Sequence, residues 1–148
     1  MSQALTWQAT ARGDYVIDVV IGGLGASAMV DSGLVDPAQL VGFELAPALF
    51  DQLQEAGFLN ELATRTRRDA GGRMSVMRVG KVSAYLARPK TAEAAGPKVD
   101  LFVARSPEGL PSRVGLAFFH RLVGCRVDWD CSARTWSVRL PPARDKLP

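Results

Sequence analysis

Apolar residues alternate with polar or small ones along much of this chain, and glycine and proline interrupt the alternation at short intervals. In "DYVIDVVIGG" valine and isoleucine dominate up to Gly22-Gly23, which predicts a β-strand ending in a turn. "LGASAMVD" reads as its hairpin partner, with the region from Gly22 to Gly25 as the turn. Asp31 then stands at the end of the second strand, before Ser32-Gly33, where the backbone can bend sharply. The period changes in "APALFDQLQEAGF". There Leu49, Phe50, Leu53 and Ala56 share a helical face, Pro47 suits the first turn and Gly57 suits the exit.

The next segment, "ELATRTRRDAGGRMSVMRVGKVSAYLA", offers two extended arms of mixed polarity around Asp69-Ala70-Gly71-Gly72, the pattern of a long hairpin with a glycine tip. "PKTAEAAGPK" reads as a loop, "VDLFVAR" as a short strand and "SPEGLPS" as another loop. "RVGLAFFHRLV" has helical spacing through Leu116, Phe119 and Leu122. "CRVDWD" and "TWSVRL" read as a closing strand pair around Ser132-Ala133-Arg134. No internal repeat and no linker divides the chain. The expected organisation is an N-terminal segment over residues 1–12, a candidate dimer-sheet strand or a segment removed by self-cleavage, then one domain over 13–140 and a frayed tail over 141–148.

Composition narrows the class without naming it. The 148 residues suffice for one core, and 47% apolar with 22% charged residues is an ordinary folded balance. A formal charge of +3 permits an anionic partner without demanding one. No basic-then-apolar leader opens the sequence, and no apolar run reaches the length of a membrane span. Cys125 and Cys131 are too few for a disulfide framework and, with His120 the only histidine, too poorly accompanied for zinc. They read as reduced, partly buried thiols of a cytoplasmic protein.

Taken alone, Asp31-Ser32-Gly33 is the commonest kind of turn chemistry. Its surroundings give it more weight. The order is strand, hairpin, Asp-Ser-Gly after the apolar pair Met29-Val30, helix, glycine-tipped hairpin, strand, and then Val114-Gly115 before a short helix and "GCRVDWD". Over roughly residues 13 to 140 this resembles the retropepsin-like aspartic proteases, in a bacterial form. The resemblance implies a mostly β fold: a small closed acid-protease barrel with a glycine-tipped flap hairpin and one or two short helices. It implies Asp31 as the catalytic residue and Ser32, Gly33, Leu34 and Asp36 as the active-site loop. Asp69, Ala70, Gly71 and Gly72 would form the flap tip, and Val114-Gly115 the second signature.

The chemistry implied needs two carboxylates about 3 Å apart that share one proton, because both cannot ionise at that separation. One takes a proton from a bound water while the other donates to the peptide carbonyl, with no metal and no cofactor. A chain with one Asp-Ser-Gly then requires a second copy, so a homodimer is part of the expectation. The expected function is peptide-bond hydrolysis by an aspartic endopeptidase. Ser32 would hydrogen-bond across the two-fold axis, and Gly33 would let the backbone approach a peptide or protein substrate. Leu34 replaces the usual alanine or serine, and Ala117 replaces a common aspartate or asparagine; both departures leave room for a second reading, an inactive module that holds a peptide or acts as a dimeric scaffold.

Other features read more blandly. Arg65, Arg67, Arg68, Arg73, Arg78 and Lys81 on the candidate flap suit a solvated face that discourages strand mispairing, or a surface for an acidic segment. A small unrelated barrel using these cations to bind an anion is a third reading. Nucleic acid is not the expected partner, because no aromatic residues interleave the cations. Trp7, Trp129 and Trp136 read as core or dimer-interface residues, His120 as structural or exposed, and Asp128 and Asp130 as one strand face without the further ligands a metal needs.

Overall fold

A computed structural model of the chain describes residues 3–34, 41–68 and 71–141. Among these residues ten strands and two helices follow in the order β1(Gln3–Gln8), β2(Val16–Ile21), β3(Leu24–Val30), β4(Val41–Leu45), α1(Pro47–Glu55), β5(Asn60–Arg68), β6(Met74–Ala87), β7(Ala94–Arg105), β8(Arg113–Val114), α2(Leu116–His120), β9(Arg126–Asp130) and β10(Thr135–Leu140).

The alternation in β2 acts as written. Ile17, Val19 and Ile21 are fully buried while Val16, Asp18 and Val20 face outward. β2 pairs with β3 through Ile21 and Leu24, so the turn occupies Gly22-Gly23, where Gly22 has φ +60°. The sheet order β2-β3-β8-β4-β7-β6 closes on itself through pairing of β2 with β6. One strand makes that closure possible. β6 carries β7 along Val79–Ala87, while β5 pairs with Met74–Lys81 and β2 with Ala84–Leu86. Closure removes the sheet edges that would otherwise invite mispairing, and β5 remains as the arm of a projecting hairpin.

A separate three-stranded sheet, β1-β10-β9, packs against the ring. Trp136, Val138 and Leu140 of β10 and Leu5 and Trp7 of β1 join Ile17, Phe43, Leu86 and Phe118 in one apolar core. Phe43 and Phe118 meet at 4.9 Å between ring centroids, and Phe119 lies 5.6 Å from Trp136. α1 starts at Pro47 and buries Phe50 and Leu53; it ends at Glu55, so Ala56 is the exposed cap residue rather than part of the buried face. Gly57 makes the exit at φ +79°.

Three elements differ from the sequence expectation. β4, in "VGFEL", was not anticipated, because it is buried on both faces and shows no alternation. β7 begins at Ala94, inside the segment read as a loop. There Leu86 pairs with Ala95 and Ala84 with Val99, and the irregularity between them takes up Gly96, at φ +77°, and Pro97. Arg113-Val114 is a strand, not the start of a helix, since both residues are held between β3 and β4; α2 is correspondingly only five residues long.

Trp7 and Trp136 lie in the core, whereas Trp129 on β9 is 57% exposed. Both cysteines are free; Cys125 is half-buried, and Cys131 is exposed rather than partly buried as expected. Burial pushes the Cys125 thiol up from its ordinary value. His120 is exposed. No helix among the described residues is long and apolar enough to cross a membrane. Residues 142–148 of the expected tail lie outside the described residues.

Candidate active site

Asp31 follows directly on β3. Met29 and Val30 pair in parallel with Arg113 and Val114 of β8, and the Asp31 amide extends the ladder by donating to the Val114 carbonyl at 2.9 Å. β8 runs antiparallel to β4 on its other side, with Val114 opposite Phe43 and Arg113 opposite Glu44. The Gly115 amide donates to the Gly42 carbonyl at 2.9 Å. Two residues of β8 therefore stitch together the strands that flank Asp31.

Opposed residues in a sheet share a face, and side chains two positions apart along a strand share it too. Met29, Arg113 and Glu44 form such a row, and Asp31 stands two positions beyond Met29. The ion pairs follow from that placement. Arg113 Nη1 donates to Asp31 Oδ2 at 3.1 Å, and Arg113 Nη2 donates to Glu44 Oε1 at 3.0 Å. Asp31 Oδ1 accepts the Gly33 amide at 2.9 Å, which closes the turn. Glu44 is only 1% exposed, and its second oxygen accepts Arg67 Nη1 from β5 at 2.8 Å. A carboxylate so deeply buried persists because two guanidinium groups meet it. Among the described residues, Arg113 Nε is buried without a hydrogen-bond partner.

The loop after Asp31 is tight. Ser32 and Gly33 are exposed, and Leu34 is half-buried with its amide donating to the Asp31 carbonyl at 3.1 Å. Gly115 leaves room for that loop: a Cβ added there would lie 2.7 Å from the Leu34 carbonyl oxygen and 3.2 Å from Leu34 Cγ. The Leu34 side chain rests over Gly115, so the two signatures are in direct contact. Ala117 is buried on α2.

β5 and β6 form the anticipated hairpin, with Arg68 opposite Met74 and Gly72 at φ +81°. Gly71 and Gly72 are exposed; Asp69, Ala70 and, in the active-site loop, Asp36 lie outside the described residues. The arginines of this hairpin are not simply a solvated face. Arg67 reaches the buried Glu44, and Arg78 donates to Gln54 at 2.6 Å while lying over the Phe50 ring. Lys81 pairs with the exposed Glu61. Because Arg67 and Arg113 bind the same carboxylate, only two side chains separate the hairpin arm from Asp31.

The structure brings Asp31, Ser32, Gly33, Leu34, Val114 and Gly115 together, and with them Arg113, Glu44 and Arg67. Glu44 had a sequence signal: it is a lone carboxylate inside the apolar run "VGFEL", which demands a buried partner if that run is a strand. Arg113 had none once its segment was read as a helix.

Comparison with solved structures agrees with this architecture. The chain is similar to a retropepsin-like aspartic protease from Rickettsia conorii, with a TM-score of 0.63 and 16% identity, over 95% of this chain and 92% of that one. The fold is retropepsin-like. No family model matches the sequence, and no curated protein does. Likeness at that identity speaks for the fold, and the chemistry rests on the residues described above.

Proposed function

We propose that this chain is a homodimeric aspartic endopeptidase in which Asp31 of each copy supplies one carboxylate of a proton-sharing pair. The observation that carries the reading is the position of Asp31 at the end of β3, tied by its amide to Val114 of the second signature. The hairpin arm β5 reaches the same cluster of side chains through Arg67 and Glu44, as a flap over a cleft would. Asp31 keeps 28% of its side chain exposed and Ser32 is exposed beside it, so a second copy can approach both. In the pair, the ionised carboxylate takes a proton from water and the protonated one donates to the scissile carbonyl. No metal or cofactor enters the reaction.

The dimer would use the three-stranded sheet. β9 lies at its edge with Val127 and Trp129 exposed, and Trp129 Nε1 donates to the Tyr15 hydroxyl at 3.0 Å. Tyr15 in turn accepts the Val30 amide on its carbonyl, one residue before Asp31. A second reading, a peptide-holding module that does not cut, is favoured by one observation: Arg113 already occupies Asp31 Oδ2, where a partner carboxyl would bond.

Mapping cuts in an unstructured peptide library by mass spectrometry decides between the two. The protease reading expects cuts made by the wild type, from mildly acidic to neutral pH, that disappear in Asp31→Asn. Folded dimers that leave the library intact at every pH would support the peptide-holding module instead.

A further inference from the structure

The three-stranded sheet turns one apolar face to the core, and that face outlasts the core at one edge. Its register places Trp7, Trp136 and Trp129 side by side across β1, β10 and β9, with Leu5, Val138 and Val127 in the next row. Trp7 and Trp136 are 5% and 6% exposed and Leu5 and Val138 are buried, but Trp129 is 57% exposed and Val127 37%. The layer is finished at β1 and unfinished at β9. Trp129 is nonetheless held: its Nε1 donates to the Tyr15 hydroxyl, and its ring meets Tyr15 edge-on at 5.8 Å. An aromatic side chain ordered in advance loses little freedom when a partner covers it. Among the described residues β9 pairs with β10 alone, so its other edge offers backbone donors and acceptors.

The polar face of β9 selects the partner. It carries Arg126, Asp128 and Asp130, with Arg126 Nε 3.3 Å from Asp128 Oδ1 and both side chains exposed. Charge of one sign keeps strands apart, as along Arg65, Arg67 and Arg68 of β5. Mixed signs can instead match a second, antiparallel copy of themselves. A two-fold axis perpendicular to the sheet keeps the apolar faces together, so one β9 residue sits on the axis and opposes its own copy. Four of the five residues of β9 put like charges opposite one another when central. Arg126, Asp128 and Asp130 would each face themselves, and a central Trp129 would set Asp128 against Asp130. Centred on Val127, each Arg126 faces the other copy's Asp128, and Trp129 lies opposite Cys125.

We propose that two copies join by antiparallel pairing of β9 with β9 about Val127. The joint makes one six-stranded sheet, three strands from each copy, and continues the apolar layer through Trp129. The inference deepens the protease reading, on which the need for a second copy rests, by naming the joining surface and its register. Tyr15 connects that joint to the site, because it holds the Trp129 indole and its carbonyl accepts the Val30 amide.

Sedimentation equilibrium of the full chain tests the surface, and cross-linking tests the register. Wild type sediments as a dimer. Arg126→Asp sets acids against acids and raises the dimer dissociation constant about tenfold or more. Arg126→Asp combined with Asp128→Arg restores it, because the pairs return with their signs exchanged. Asp130→Lys, opposite the uncharged Gly124, leaves it within about twofold. Val127→Cys, in a chain carrying Cys125→Ala and Cys131→Ser, forms a symmetric disulfide under oxidised glutathione, since opposed Cα atoms of antiparallel strands lie within disulfide reach. Asp128→Cys in the same background does not. A monomeric wild type overturns the proposal, as does Arg126→Asp that dimerises like wild type. Failure of the charge exchange to restore a folded dimer, or of Val127→Cys to cross-link, also overturns it. Cutting by a dimer that fails these tests leaves the protease reading standing without the β9 joint. A dimer that passes them and cuts nothing overturns the protease reading alone.

Discussion

Asp31 and Asp51 each accept hydrogen bonds from one arginine, yet the two pairs occupy opposite settings. Asp51, on the outward side of α1, receives Arg105 in a two-pronged contact at 3.0 and 3.1 Å, with 45% of its side chain exposed. Arg105 holds the Asp51 carboxyl below its ordinary value of 3.8, partly opposed by loss of hydration. Asp31 receives Arg113 by a single nitrogen, because the other prong is turned to the buried Glu44. Judged on geometry alone, the surface pair is better formed. The difference lies behind the arginine: Arg105 has the far more exposed Glu108 at 3.8 Å, whereas Arg113 has a carboxylate that cannot reach water. Surface pairs contribute little, while removing one partner of a buried set leaves an uncompensated charge.

Glu44→Ala separates the two settings most sharply. It leaves two guanidinium groups facing a void and should cost about 3–5 kcal/mol in urea unfolding, where Asp51→Ala costs a small fraction of that. Comparable losses would erase the distinction.

Gly115→Ala tests the contact between the two signatures. Its new Cβ would fall 2.7 Å from the Leu34 carbonyl oxygen, which is backbone and cannot swing aside. A loss of about 1–3 kcal/mol is expected, with the Asp31 loop displaced. Gly57→Ala provides a control with open space, where the penalty comes only from φ +79°.

The smallest effect concerns pH at the surface pair. The folded value of Asp51 lies below its unfolded one, so the pair contributes to stability above about the ordinary value of 3.8. That contribution disappears as pH falls through this value toward the lower folded one. Asp51→Asn should therefore differ from wild type near neutral pH and converge with it in strong acid, and added salt should narrow the difference. A gap that widens as pH falls would contradict the sign.

Much of this molecule can be read from its letters where the physics is local. The alternation of β2 and β10, the glycines at the hairpin turns, and Pro47 opening α1 each express a rule that operates within a few residues. Asp31-Ser32-Gly33 and Val114-Gly115 could be joined from the order of elements around them. Glu44 and Arg113 could not, because they lie 69 positions apart and meet only when β8 enters between β3 and β4. β4 stayed hidden for a related reason: a strand buried on both faces has no period to show. The arginines of the β5–β6 hairpin read as a solvated run because each position alone is ordinary, and only the folded register turns Arg67 inward.

The central claim is that one carboxylate comes from each of two copies, and subunit mixing tests it most directly. Wild type and Asp31→Asn are unfolded together at varied ratios, refolded at constant total concentration and assayed on a library peptide that wild type cuts. If each active unit needs Asp31 from both chains, activity falls as the square of the wild-type fraction. A linear fall would mean that each chain cuts with its own Asp31, and the account of a shared pair would be wrong.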